Sequence, residues 1–178
     1  MKLFIGCSSS NEIDKKYLES CKSLLEELLK NNDLVYGAYN NGVMGIAYDI
    51  AIKNHRTIYA ITTEVYKHEL DDIQAEYKIV TPNIYTRSES LIKNSDIVII
   101  LPGGIGTITE LISSIETMRN NEFNKPIIIY NVDGFYDEFI RFMDVVYKEK
   151  FSSVEVKKFY RIFDDQKDII EYIKEIEI

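Results

Sequence analysis

Apolar positions along the chain follow two alternating rhythms. Short runs of β-branched and aromatic residues are each followed by a longer run with apolar residues three or four apart. Residues 2–6 form a first strand. Over 14–30, Leu18, Cys21, Leu24, Leu25, Leu28 and Leu29 line one helical face. A second strand at 34–37 precedes a helix over 43–53 with Met44, Ala47, Ile50 and Ala51 inward. A third strand covers 56–61, and the charged stretch 64–74 reads as a short surface helix. A strand at 77–80 then leads to a helix at 87–94. Further strands fall at 96–101, 126–130 and 160–163, with helices at 107–120, 136–150 and 166–175. The acidic stretch 164–177 spaces Ile169, Ile170, Ile173 and Ile176 as an amphipathic helix covering the sheet edge.

Asp-Ile-Val-Ile-Ile-Leu at 96–101 has no polar face, so both of its faces must be covered, as at the centre of a parallel sheet. Strand-then-helix repetition predicts an α/β protein with a single doubly wound domain over 1–178. Its central parallel sheet carries helices on both faces, joined by right-handed crossovers.

Composition narrows the function. A chain of 178 residues suffices for one well-buried domain. Its 21 basic and 29 acidic residues leave a net charge of −8, which argues against a nucleic-acid partner. The longest apolar run, 97–101, falls far short of the roughly 20 residues of a membrane span. The N-terminus turns polar too soon for a signal peptide. Cys7 and Cys21 match no metal-ligand spacing, two histidines argue against a histidine-rich metal site, and a soluble chain without a signal sequence points to a reducing cytoplasm. His55 and His68 sit among polar residues and are expected at the surface.

Ligands of open α/β sheets bind beyond the carboxyl ends of the strands, where strand order reverses. Three loops leave such ends with unusual composition: Gly6-Cys-Ser-Ser-Ser10, Gly37-Ala-Tyr-Asn-Asn-Gly-Val-Met-Gly45 and Pro102-Gly-Gly-Ile-Gly-Thr107. In the third, glycines bare the main chain before a helix whose first amides and positive dipole end favour a phosphate. A second reading stands beside it: Thr107-Ile-Thr-Glu110 fits a capping box, with Glu110 reaching back to the Thr107 amide. Neither a Walker motif nor a dinucleotide fingerprint follows the first strand, so a mononucleotide or sugar phosphate suits the loops. Asn40-Asn41-Gly42 is a left-handed turn signal, and Asp133-Gly134 marks a turn. Tyr39 is either a base-stacking ring or simple loop packing. Met44 and Met118 fill core gaps. Arg119, nine residues past Glu110 and so about 180° around the helix, is a C-terminal dipole partner rather than a contact to a second copy.

Leu101-Pro-Gly-Gly-Ile-Gly-Thr-Ile-Thr-Glu110 resembles the P-G-G-x-G-T-x-x-E signature of the LOG (Lonely Guy) family of cytokinin riboside 5′-monophosphate phosphoribohydrolases, long labelled lysine decarboxylases. Phe4–Ser9, Gly42-Val-Met-Gly45, Tyr85-Thr-Arg-Ser88, Lys125-Pro126 and Asn131-Val-Asp-Gly-Phe-Tyr136 extend the likeness. The resemblance implies a Rossmann-like fold, a homodimer, no metal or redox cofactor, and hydrolysis of AMP or N6-modified AMP to free base and ribose 5-phosphate. It places catalysis on Glu110 and Arg87. Substrate contacts fall on Ser8, Ser9, Gly42, Met44, Gly45, Gly103, Gly104, Ile105, Gly106 and Thr107. The chain departs from the family at Ala38-Tyr39, where the family has glycines, at Ser88 for lysine, and at Thr117 and Arg119. A non-catalytic nucleotide sensor of the same fold is the alternative. The decarboxylase label has no support, since no lysine context for pyridoxal phosphate appears.

Overall fold

The computed structural model describes residues 1–176, so Glu177, the last residue of the expected acidic stretch, lies outside the described residues. Seven parallel strands run in the order β4-β3-β2-β1-β5-β6-β7. They are β1 (Lys2–Gly6), β2 (Asp33–Tyr36), β3 (Ile58–Thr63), β4 (Tyr77–Thr81), β5 (Ile97–Ile100), β6 (Ile127–Tyr130) and β7 (Tyr160–Phe163). Six helices connect and close them: α1 (Lys15–Leu28), α2 (Gly42–Lys53), α3 (Ile84–Lys93), α4 (Ile105–Arg119), α5 (Asp137–Lys148) and α6 (Gln166–Ile176). The expected doubly wound α/β architecture is therefore what the chain adopts.

Period-two alternation builds two cores. Leu3, Ile5, Ile97, Ile99 and Ile128 face α1, α2 and α6, while Phe4, Val98, Ile100, Ile127 and Ile129 face α3, α4 and α5. Both faces of β5 are closed off, as its unbroken apolar run requires. α6 packs beside α1 over β6 and β7, on one face of the sheet rather than along its edge. Strand order reverses between β1 and β5, so the loops after these two strands diverge and leave a crevice.

Element boundaries moved where polar side chains decide them. β3 runs on through Thr62 and Thr63, polar but buried and paired with Val80 and Thr81. α3 begins at Ile84, because Asn83 and Thr86 form a reciprocal capping box ahead of the apolar period. The 64–74 stretch forms a short 3-10 segment, Glu64–Leu70, broken at Tyr66. Asp133 and Gly134 both take positive φ in the expected turn. His55 and His68 are exposed.

Two further family-like segments have structural roles. The Lys125 ammonium donates to the carbonyls of Ile92 (2.7 Å), Lys93 (3.1 Å) and Ser95, neutralising the end of α3. Asn131 accepts from the Tyr136 amide and donates to Asp137 and Asp164, and the Tyr136 hydroxyl donates to the Leu101 carbonyl (2.7 Å). Among the described residues no helix is long and apolar enough to cross a membrane.

Candidate functional site

A cleft of about 420 Å³ opens at the carboxyl end of the sheet, over the β1/β5 reversal. That volume lies within the range of small-molecule sites, about 300–1,000 Å³. Its floor and walls come from the ends of β1, β2 and β3, the start of α3 and the first turns of α4.

The loop after β5 and the start of α4 line one side of the cleft. Gly104 is the N-cap of α4, and its carbonyl accepts from the Ile108 amide, so the amides of Ile105, Gly106 and Thr107 have no acceptor within the helix. A Cβ at Gly104 or Gly106 would meet no heavy atom within 4 Å, so the fold itself does not demand bare main chain there. Gly103 differs: its Cβ would lie 2.1 Å from Thr107 Oγ1, so this glycine lets the buried Thr107 fold back over the loop.

Thr107 and Glu110 do not form the capping box. The helix starts two residues before Thr107, and the Glu110 carboxylate turns into the cleft. Glu110 Oε1 accepts from Arg87 Nη1 at 3.0 Å, while Oε2 is buried with no partner among the described residues. Burial pushes the Glu110 pKa up and the Arg87 charge opposes that shift, the net direction being upward. Arg87 comes from the first turn of α3. Its Nε donates to the Ile61 carbonyl at 3.2 Å, and its Nη2 lies 3.5 Å from the Gly37 carbonyl. A Cβ on Gly37 would stand 2.1 Å from Nη2, so glycine at 37 is what admits the guanidinium.

The loop after β1 is stitched to its neighbours. The Ser8 amide donates to the Pro102 carbonyl (3.2 Å), and the Ser8 carbonyl accepts from the Met44 amide (3.1 Å). Ser8 Oγ accepts from the Ser10 amide, which fixes a local turn and leaves Ser9 and Ser10 exposed along the cleft.

The structure thus gathers Ser8, Ser9, Met44, Arg87, Gly104, Ile105, Gly106, Thr107 and Glu110 around one cavity. Gly42, Gly45 and Gly103 stand behind it. A Cβ on Gly42, which has a φ of +59°, would press on Ser9 and Ser10 main chain, and one on Gly45 would press on Asn40. These glycines pack loops together rather than line the cleft. The left-handed positions near this turn are Ala38 and Gly42, not Asn40 or Asn41. Ala38 points into the core, so of the two departures in this loop only Tyr39 reaches the cleft. Ser88 is buried and bonds the Ile84 carbonyl within its own helix. Arg119 pairs with Glu116 in the last turn of α4, away from the cleft. Cys7, Gly37, Thr62, Thr63, Tyr66 and Ile84 line the cavity without having been singled out as site residues. Their common signal is position at or just beyond a strand's carboxyl end.

A family model described as "Possible lysine decarboxylase" matches residues 44–173. A probable cytokinin riboside 5′-monophosphate phosphoribohydrolase of Arabidopsis thaliana, LOG6, is 32% identical over 150 residues, 83% of this chain and 74% of the relative. A probable enzyme of the same description from Oryza sativa subsp. japonica is 28% identical over 97% of this chain and 70% of its own length. Among solved structures, the molybdenum cofactor binding protein of Rippkaea orientalis superposes with a TM-score of 0.70 at 20% identity, covering 99% of this chain and 96% of that one. DNA processing protein A of Helicobacter pylori gives 0.62 at 14% identity, with 98% and 80% covered. These two likenesses concern the fold alone. The matched segment takes in the cleft loops from α2 to α4 and most of the sheet, and on that ground the chain belongs to the LOG family.

Proposed function

We propose that the chain hydrolyses the N-glycosidic bond of a nucleoside 5′-monophosphate, AMP or N6-modified AMP, giving free base and ribose 5-phosphate. The observation that carries this reading is the buried Arg87–Glu110 pair, set about one turn into the helix whose first amides face the same cavity. The 5′-phosphate takes the amides of Ile105, Gly106 and Thr107 and the hydroxyls of Ser9 and Ser10, at the positive end of the α4 dipole. The ribose then lies over Glu110.

As the C1′–N bond breaks, its electron pair leaves with the base and positive charge gathers on the ribose ring. The Glu110 carboxylate stabilises that charge and orients a water molecule towards C1′. Water oxygen bonds to C1′, one of its protons passes to Glu110, and that proton is returned to the departing base. Arg87 favours the ionised form of Glu110, against the burial that pushes its pKa up. No lysine lines the cleft among the described residues, so decarboxylation through a lysine-held cofactor has no anchor there.

The chain works as a homodimer in the cytoplasm in this reading. In support, α5 turns Phe142 and Val145 outward at 63% and 53% exposure, one helical step apart, with Phe151 at 86% just beyond. Light scattering on the purified chain tests the dimer. The activity is tested by incubating the protein with AMP, GMP, CMP, IMP and an isoprenylated AMP and separating free bases by chromatography. Base release from AMP or its N6-modified form supports the enzyme; nucleotide binding without release supports the sensor.

A further inference from the structure

The cleft has two chemically different ends. On the β1/β5 side stand the serine hydroxyls and the open main chain at Gly104 and Gly106. On the β2/β3 side stand Tyr39 and Tyr66, with ring centroids 6.0 Å apart and planes at 67°. Two to three strand spacings of about 4.8 Å separate β5 from β2 and β3, with Glu110 and Arg87 between the two ends. A nucleotide has the same polarity: charge at one end, π surface at the other, sugar between.

Both rings are placed by the backbone. Tyr39 follows Ala38, whose φ of 62° turns the chain out of β2 while its methyl stays in the core. The Tyr39 phenol stands near the Glu69 carboxylate. Tyr66 sits where the 3-10 segment after β3 breaks, at φ −112° and ψ 16°, and remains 46% exposed. Together they form a corner with one ring face and one ring edge, the shape that takes a planar heterocycle by stacking and edge contact.

We propose that Tyr39 and Tyr66 form the base-recognition surface of this chain and make it select purine over pyrimidine nucleotides. The inference rests on the phosphoribohydrolase reading of the same cleft. Stacking is sequence-tolerant in kind but grows with the π area covered, so the larger purine gains more. The phosphate contributes equally to every nucleotide. Base discrimination therefore resides at the tyrosine end.

Calorimetric titration of the full chain with AMP, CMP and ribose 5-phosphate tests this, in the Glu110→Gln background so that AMP survives the experiment. Tyr39→Leu and Tyr66→Leu are each expected to weaken AMP about 5–100-fold and leave ribose 5-phosphate unchanged. Tyr39→Phe, which keeps the ring, retains AMP affinity. Tyr66 is half exposed, so Tyr66→Leu leaves folding intact even if Tyr39→Leu does not. Equal losses for AMP and ribose 5-phosphate, no loss for either, or equal AMP and CMP affinities before substitution would overturn the assignment. If the parent binds none of the three ligands, the phosphoribohydrolase reading falls with it; if ribose 5-phosphate binds and the tyrosines do not matter, only this inference falls.

Discussion

Arg87 Nη1 lies 3.0 Å from Glu110 Oε1, with the two side chains only 11% and 3% exposed. An ion pair so enclosed has weak standing as a stabiliser, because desolvating both charges offsets most of their attraction. Its position in the cleft, with one carboxylate oxygen left unpartnered, favours a chemical role.

A pH profile tests that coupling. In the proposed mechanism Glu110 acts as the ionised form, and its pKa is raised by burial and held back by Arg87. Activity is therefore lost as pH falls through the raised pKa, earlier than for an ordinary carboxylate near 4.3. Arg87→Met removes the opposing charge, so the acid limb of kcat/KM moves to higher pH. The substrate phosphate titrates near 6 in both proteins, so the difference between them reports Glu110. An unmoved or lowered limb in Arg87→Met contradicts the coupling.

The glycines should divide by what surrounds them. Gly104→Ala and Gly106→Ala meet open space, so melting temperature stays close to that of the parent while ribose 5-phosphate affinity falls. Gly37→Ala drives a methyl into Arg87 Nη2, on a guanidinium already held at Nε by the Ile61 carbonyl and at Nη1 by Glu110. Its kcat/KM should approach that of Arg87→Met. Melting curves and initial rates on the three variants check this division; a Gly37→Ala enzyme with parental activity would remove the glycine from the account.

Tyr136 links the Asn131 turn to the loop after β5 through its bond to the Leu101 carbonyl. Tyr136→Phe leaves that buried carbonyl unpaired, at a cost of about 1–3 kcal/mol. At this chain length that is a fall of about 2–12 °C in melting temperature. Scanning calorimetry measures it, and an unchanged melting temperature would mean that the bond contributes nothing net.

The fold was legible because apolar periodicity reports burial directly: β1 and β7 begin and end where their residue patterns do. Polar signals were harder to read. The Asn83–Thr86 box starts α3 with two residues, Ile84 and Tyr85, that stay exposed and so carry no periodic signal. In the site, Gly104 to Thr107 and Glu110 share one contiguous motif, and Arg87 became visible through the family likeness. Gly37 was not legible as a site residue, since its need for a bare Cα is set by Arg87, 50 positions away. Tyr66 lay in a charged stretch without period, and only the return of the chain beside β2 brings it to Tyr39. The capping reading of Thr107 and Glu110 failed because the helix begins at Ile105, which places Thr107 inside the first turn.

Single-turnover release of adenine from AMP by the parent and by Glu110→Gln, paired with calorimetric AMP affinity for the variant and ribose 5-phosphate affinity for both, bears most directly on the mechanism. The expected result is adenine release by the parent and a loss of about 10²–10⁴-fold in the variant, which still binds AMP and keeps its affinity for ribose 5-phosphate. Equal release rates, or no release from the parent at any AMP concentration that saturates binding, would contradict it.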